Sequence, residues 1–240
     1  MAVSCIIYDL DGTLIDSAPD IANAVNRVRA NYDLDPISID LVRQFIGDGP
    51  QKLLERAIVG LVDDRSLRPE RCLPRSWTDI KHLLDQFRGW YGMDPVIDTT
   101  LLPFAQEMLQ HWNALGCAQV VLTNKPHDIA EAVLDQLDIL PMLDLVVGRG
   151  ARNDEGKEIA PKPSSEVIDY ILDETGAERS ETWVIGDGIP DIQVAIAGQL
   201  PVIVLLDGYG NPEALTAIAP ELDHCVTNLQ SAHALLSPHA

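Results

Sequence analysis

The sequence predicts an α/β protein: a doubly wound parallel sheet with helices on both faces, interrupted by an inserted all-helical block. Three observations carry this. Beyond about residue 100, short apolar runs alternate strictly with stretches of helical spacing. The runs are continuous rather than alternating, as strands covered on both faces should be. Residues 17–93 show helical spacing and no strand signal, directly after the first apolar run and its turn. The expected organisation is therefore a discontinuous core, 1–16 and 94–240, with residues 17–93 as a helical cap.

The elements follow in order. Residues 3–8 are an apolar run that reads as a short buried strand. It ends in Asp9-Leu10-Asp11-Gly12, where glycine lets the chain turn sharply. Ser17-Ala18-Pro19-Asp20 reads as a capping box, Ser17 capping and Asp20 reaching back. Ile21, Val25 and Val28 continue at helical spacing until Asp35-Pro36 breaks the helix. Leu41, Val42, Phe45 and Ile46 form a second stripe, stopped by Gly47-Asp48-Gly49. Pro50 suits the first turn of a third helix, which carries Leu53, Leu54, Ala57 and Ile58. Residues 63–75, rich in charge and proline, read as a loop. A fourth helix over 77–91 places Ile80, Leu83, Leu84 and Phe87 on one face. The alternating part predicts helices over 104–115, 127–137, 164–175 and 190–197, and strands over 118–122, 143–147, 182–185 and 202–206. A polar loop spans 148–161.

A net charge of −20 and a pI near 4.4 argue against nucleic acid or an anionic membrane surface as partner, since both need a basic face. An anionic small substrate needs only local positive charge. The four cysteines, Cys5, Cys72, Cys117 and Cys225, form no C-x-x-C pattern and read as reduced thiols of a cytoplasmic protein. The N-terminus lacks a basic region followed by a long apolar stretch, so no signal peptide is expected. No run approaches the roughly 20 apolar residues that span a bilayer.

In an open parallel sheet, ligands bind beyond the carboxyl ends of the strands. Four strand ends here bring polar groups to that edge: Asp9 and Asp11; Thr123, Asn124 and Lys125; Lys162 between two prolines; Asp187 with Asp191 four residues on. Carboxylate oxygens suit Mg²⁺, and a hydroxyl, backbone N–H groups and an ammonium suit phosphate oxygens. Together they describe a phosphoryl site beside a metal. Singly, each has a plainer reading: an acidic turn, a helix-capping pair, a solvated lysine, a helix-surface charge.

The order and type of these motifs resemble the haloacid dehalogenase (HAD) superfamily. Its first motif, D-x-D-G-T, stands as Asp9-Leu10-Asp11-Gly12-Thr13. The second stands as Val120-Val121-Leu122-Thr123-Asn124, the third as Lys162-Pro163, and the fourth, G-D-x-x-x-D, as Gly186 to Asp191. A helical cap between motifs one and two is similar to the branch holding phosphoglycolate phosphatases. Asp16-Ser17, Thr123-Asn124-Lys125-Pro126 and Gly208-Tyr209-Gly210 share that likeness.

The resemblance implies roles. Asp9 would be the nucleophile, forming an aspartyl phosphate, and Asp11 the general acid and then base. Thr123 would bind a phosphoryl oxygen with backbone groups of Asn124 and Leu10. Lys162 would neutralise charge on Asp9 and the phosphoryl oxygens. Mg²⁺ would take Asp9, the Asp11 carbonyl and Asp187. Asp191 would support the metal or orient Lys162. Gly188 departs from the pattern, since relatives often carry a small polar residue there. Gly47, Asp48 and Gly49 stand where related phosphatases place a specificity loop, and a plain helix–helix turn fits them equally. Arg43, Lys52 and Arg56 are the nearest basic residues.

The implied activity is a Mg²⁺-dependent phosphatase for a small phosphorylated metabolite, 2-phosphoglycolate first. A sugar phosphomutase or another sugar-phosphate phosphatase is the alternative. A binding or regulatory protein on the same scaffold is a third class, against which the intact Asp9 and Asp11 speak. The sequence leaves monomer and homodimer both open.

Overall fold

The computed structural model describes residues 3–60, 69–74 and 79–237. In chain order, β1 (Cys5–Tyr8) and β2 (Ile15–Asp16) lead into α1 (Ala18–Ala30), α2 (Ile39–Arg43), α3 (Pro50–Leu54), a π-helical turn (Glu55–Val59) and α4 (Ile80–Tyr91). β3 (Thr100–Leu101), α5 (Ala105–Ala114), β4 (Ala118–Pro126), α6 (His127–Gln136) and β5 (Leu145–Arg149) follow. The chain closes with α7 (Glu166–Thr175), β6 (Thr182–Gly186), α8 (Ile189–Gly198), β7 (Val202–Leu205), α9 (Pro212–Ile218), β8 (Cys225–Val226) and α10 (Leu229–Leu236). Two compact units result: Met1–Asp16 with Thr100–Ala240, and Ser17–Thr99.

The first unit is built on a six-stranded sheet of order β5-β4-β1-β6-β7-β8, parallel throughout. β1 lies between β4 and β6, with Tyr8 in register with Val121 and Ile185. The residues after these three positions therefore emerge at one edge, and Asp9 N–H still donates to the Ile185 carbonyl at 2.9 Å. One sheet face is apolar: Cys5, Ile7, Val120, Leu122, Val184, Val202 and Val204 pack with Val167, Ile168 and Ile171 of α7 and Ile192 and Ala195 of α8. The continuous apolar runs thus serve as expected, buried from both sides.

Three features differ from expectation. β4 does not stop at Leu122. It continues to Pro126, and the step from 122 to 126 on β4 faces only the step from 147 to 149 on β5. That excess is a bulge at residues 123–125, the means by which a strand re-aims side chains beside a site. A two-stranded antiparallel ribbon of β2 and β3 was not legible, because two-residue strands carry no periodicity. The same holds for β8, beyond the last expected strand.

The helical unit holds α1 to α4. The expected loop 63–75 is described only at 69–74, and residues 77–78 of the fourth expected helix lie outside the described residues. That helix, α4, is capped by Asp79, which accepts from the Lys81 N–H at 3.0 Å. Buried Arg29 ties α1 to the π-helical turn, donating to the carbonyls of Asp35, Ala57 and Arg71.

The capping box at Ser17 does not form, since the Ser17 side chain makes no cap hydrogen bond. Asp20 is instead buried, and its carboxylate accepts from the N–H groups of Ile97, Asp98 and Thr99 and from the Thr99 hydroxyl at 2.6 Å. Four donors to one carboxylate outweigh a single N-terminal N–H. This bond set keeps residues 94–99 with the helical unit, so its boundary falls after Thr99 rather than after Met93. Asp20→Ala would strand three backbone donors. It is expected to cost about 3 kcal/mol or more of stability, with Asp20→Asn losing less, as read by urea unfolding.

Candidate active site

Asp9 leaves β1 directly into a turn organised by one atom. The Leu10 carbonyl accepts from the N–H groups of Thr13, Leu14 and Ile15, at 3.2, 2.9 and 3.1 Å. Gly12 sits at φ +88°, and a Cβ there would collide with the Asp187 carboxylate and the Tyr209 ring. Glycine at this position is therefore required both by the turn and by the close approach. The turn brings the Thr13 hydroxyl to Asp187 Oδ1 at 2.7 Å.

Asp187, at the end of β6, is buried and held from two sides. Thr13 donates to one oxygen, and the Tyr209 N–H donates to the other at 2.7 Å. The loop after β7 reaches it because Gly208 has no Cβ to meet the Asp187 side chain. Tyr209 also donates its hydroxyl to Asp16 Oδ1 at 2.6 Å, fastening that loop to β2. Gly208-Tyr209-Gly210, noted in the sequence only as a likeness, is thus the clamp on Asp187.

Lys162 is buried and central. Its Nζ lies 2.8 Å from Asp9 Oδ1 and 2.6 Å from Asp191 Oδ1. Asp191 is engaged at its other oxygen by the Gly188 N–H at 2.9 Å. That bond uses the backbone of residue 188, so a glycine there does not prevent it. Asp9, Asp187 and Asp191 can bring one oxygen each within 4.8 Å of one another, all three buried.

Electrostatics follow from this crowding. Burial, then the Asp191 and Asp187 carboxylates, push Asp9 well above the usual carboxylate range, against the opposing pull of Lys162. Burial and Asp191 push Asp187 up likewise, opposed by its Thr13 and Tyr209 hydrogen bonds. Burial alone would lower the Lys162 ammonium, but Asp191 and Asp9 more than reverse this. One lysine against three buried carboxylates leaves an excess of negative charge. The donor set is all oxygen and short of positive charge, which fits a hard divalent cation.

The β4 bulge supplies the remaining groups. Thr123 and Asn124 are buried, and the Thr123 hydroxyl accepts from the Lys125 N–H at 3.1 Å. Lys125, which the sequence placed at the strand end without a role, buries its ammonium 2.7 Å from Asp11 Oδ1. Arg149, at the end of β5, is exposed and reaches Asn124 Oδ1 at 3.4 Å. Asp9, Lys162, Asp187 and Asp191 are joined in one contact network, and Asp11 is joined to the strand bearing Thr123 and Asn124. Gly47, Asp48 and Gly49 belong to the helical unit, where Asp48 pairs with buried Arg56 at 2.6 Å. Arg43 and Lys52 pair locally with Asp40 and Glu55.

Residues 3–199 match the family described as haloacid dehalogenase-like hydrolase. The chain belongs to this family. As a haloacid dehalogenase-like hydrolase it is an enzyme of the phosphoric monoester hydrolase class. It is 31% identical over 209 residues to a phosphoglycolate phosphatase of Rhodospirillum rubrum, covering 85% of this chain and 80% of that one. It is 27% identical over 217 residues to a phosphoglycolate phosphatase of Pseudomonas fluorescens, covering 90% and 74%. A solved structure from Lactobacillus delbrueckii subsp. bulgaricus shares its fold, with a TM-score of 0.81 at 21% identity over 100% and 99% of the two chains. No described helix of this hydrolase is long and apolar enough to cross a membrane.

Proposed function

We propose that the protein is a Mg²⁺-dependent phosphatase acting on 2-phosphoglycolate through an aspartyl-phosphate intermediate. The observation that carries the mechanism is Lys162 held between Asp9 and Asp191, with Asp187 adjoining them. A nucleophilic carboxylate has an ammonium at 2.8 Å that can also meet phosphoryl oxygens. Two of the three clustered carboxylates, Asp9 and Asp187, would hold the cation. Asp191, occupied by Lys162 and Gly188, serves to orient the lysine. When bound, the cation supplies charge neutralisation at the carboxylates and the phosphoryl oxygens.

In the first step an Asp9 oxygen attacks phosphorus in line and the ester P–O bond breaks. Asp11 gives its proton to the departing alkoxide. In the second step water attacks the same phosphorus. Asp11 takes the water proton, and the bond from Asp9 to phosphorus breaks to release inorganic phosphate. The Thr123 hydroxyl and backbone groups of Asn124 and Leu10 hold the phosphoryl oxygens. Lys162 stays in place throughout.

The substrate rests on the relatives' names and on one feature of this unit, the exposed Arg149 guanidinium beside Asn124. It offers a cation at the rim for a second anionic group on the substrate. We also assign substrate selection to the Gly47-Asp48-Gly49 turn, supported by its fixed shape through the Asp48–Arg56 ion pair. The four cysteines are free, which suits a cytoplasmic enzyme.

The test is a panel of phosphate monoesters with Mg²⁺ and with EDTA. 2-Phosphoglycolate is expected to give the highest kcat/KM, with activity lost in EDTA and restored by Mg²⁺. A preference for hexose phosphates would overturn the substrate. Undiminished turnover in EDTA would overturn the metal dependence.

A further inference from the structure

The site contains two buried lysines, and the mechanism above uses only one. Lys162 serves Asp9 and Asp191. Lys125 pairs with Asp11, Nζ to Oδ1 at 2.7 Å, with both side chains almost wholly enclosed. A buried ammonium is costly unless paired, so this contact is a fixed part of the interior rather than a surface accident. Its backbone is fixed as well. Lys125 lies in the β4 bulge, and its N–H donates to the Thr123 hydroxyl. One residue thus ties a phosphate-binding hydroxyl through its main chain and the proton-transferring carboxyl through its side chain.

We propose that Lys125 is a positioning residue for Asp11, holding its carboxyl group in the rotamer that faces the leaving oxygen. This rests on the phosphatase reading and deepens it. Asp11 follows Asp9 by two residues at the start of a turn, and its side chain has staggered rotamers among which a partner can select. A hydrogen bond from the Lys125 ammonium to Oδ1 removes that freedom and leaves the other oxygen to carry the proton. Proton transfer demands such control, because a small misplacement of a reacting group costs up to about 100-fold in rate.

The test compares two leaving groups by kcat/KM, which reports steps up to and including departure of the alcohol. p-Nitrophenolate leaves without a proton, whereas an alkoxide needs one. The protein is assayed with Mg²⁺ on p-nitrophenyl phosphate and on the best alkyl monoester of the panel. Lys125→Met is expected to lose about 30-fold or more on the alkyl ester and less than about threefold on the aryl ester. Lys125→Gln, which keeps a donor toward Asp11, should recover part of the alkyl activity. In an Asp11→Asn background, Lys125→Met should add less than about twofold, since the group it positions is gone. Thermal melts of each variant are to check that it is folded.

Equal losses on both esters would mark Lys125 as a structural support only and overturn the proposal. So would an unchanged alkyl rate, or full additivity with Asp11→Asn. If the wild type hydrolyses neither ester, the phosphatase reading itself fails and takes this inference with it. A wild type active on both esters, with a variant that does not discriminate between them, overturns the Lys125 role alone.

Discussion

Asp9→Asn is expected to reduce phosphate release by about four orders of magnitude or more, the scale seen when a covalent nucleophile is removed. Asparagine keeps the size and planarity of the side chain, so the turn around the Leu10 carbonyl and the Asp9 N–H bond to Ile185 are retained. What is lost is the anionic oxygen facing Lys162. An amide oxygen cannot form a hydrolysable acyl phosphate under these conditions. The second readout is therefore direct. Wild-type protein quenched during turnover should carry the mass of one added phosphoryl group, and Asp9→Asn should not. The substitution also removes one of three crowded carboxylates, so the variant should melt no lower than wild type without metal. Wild-type rates in Asp9→Asn would sink the covalent mechanism.

Asp187→Asn separates metal binding from folding. Burial and the neighbouring carboxylates raise Asp187 to about 7 and Asp9 to about 8, from an ordinary value of 3.8. The sign follows. These groups bind protons more tightly folded than unfolded, so the folded state holds more protons across that interval. Metal-free stability should fall as pH rises from about 4 to about 8. A bound cation supplies the missing positive charge, and Mg²⁺ should flatten the slope and raise Tm at neutral pH. Asp187→Asn removes one charge and keeps an acceptor for Thr13 or Tyr209. In EDTA at pH 8 its Tm should equal or exceed that of wild type, while Mg²⁺-dependent activity falls at least about 100-fold. Calorimetry across pH with and without Mg²⁺, beside the phosphatase assay, reads both effects. A variant that melts lower than wild type in EDTA and still gains the full Mg²⁺ shift would refute this account.

Much of the core was legible because its signals are local. β1, β4, β6 and β7 contain apolar runs of a length and composition that strands require, and a polar residue stands just past the end of each run. Thr123 and Asp187 were placed at this edge by their position at strand ends, and Lys162 by the loop that follows the third expected strand. Other features have no local signal. The β4 bulge exists only relative to β5, so the sequence placed Lys125 at the strand end without showing its pairing with Asp11. Ser17 and Asp20 fit a capping pattern, yet Asp20 found four donors 77 to 79 residues away. Arg29, on which the sequence pattern is silent, is buried among three carbonyls.

The sequence by itself determined the sheet-forming runs, the inserted helical block and the order of the chemical groups along the chain. These depend on hydrophobic periodicity and on turn chemistry, which act over a few residues. Only the tertiary structure decided how the charges are shared: Lys162 to Asp9 and Asp191, Lys125 to Asp11, and Thr13 with the Tyr209 N–H to Asp187. Each of these pairings joins segments far apart in the chain. A buried charge takes whichever partner the packed sheet edge brings within about 3 Å, because leaving it unpaired costs more than any local preference can offset.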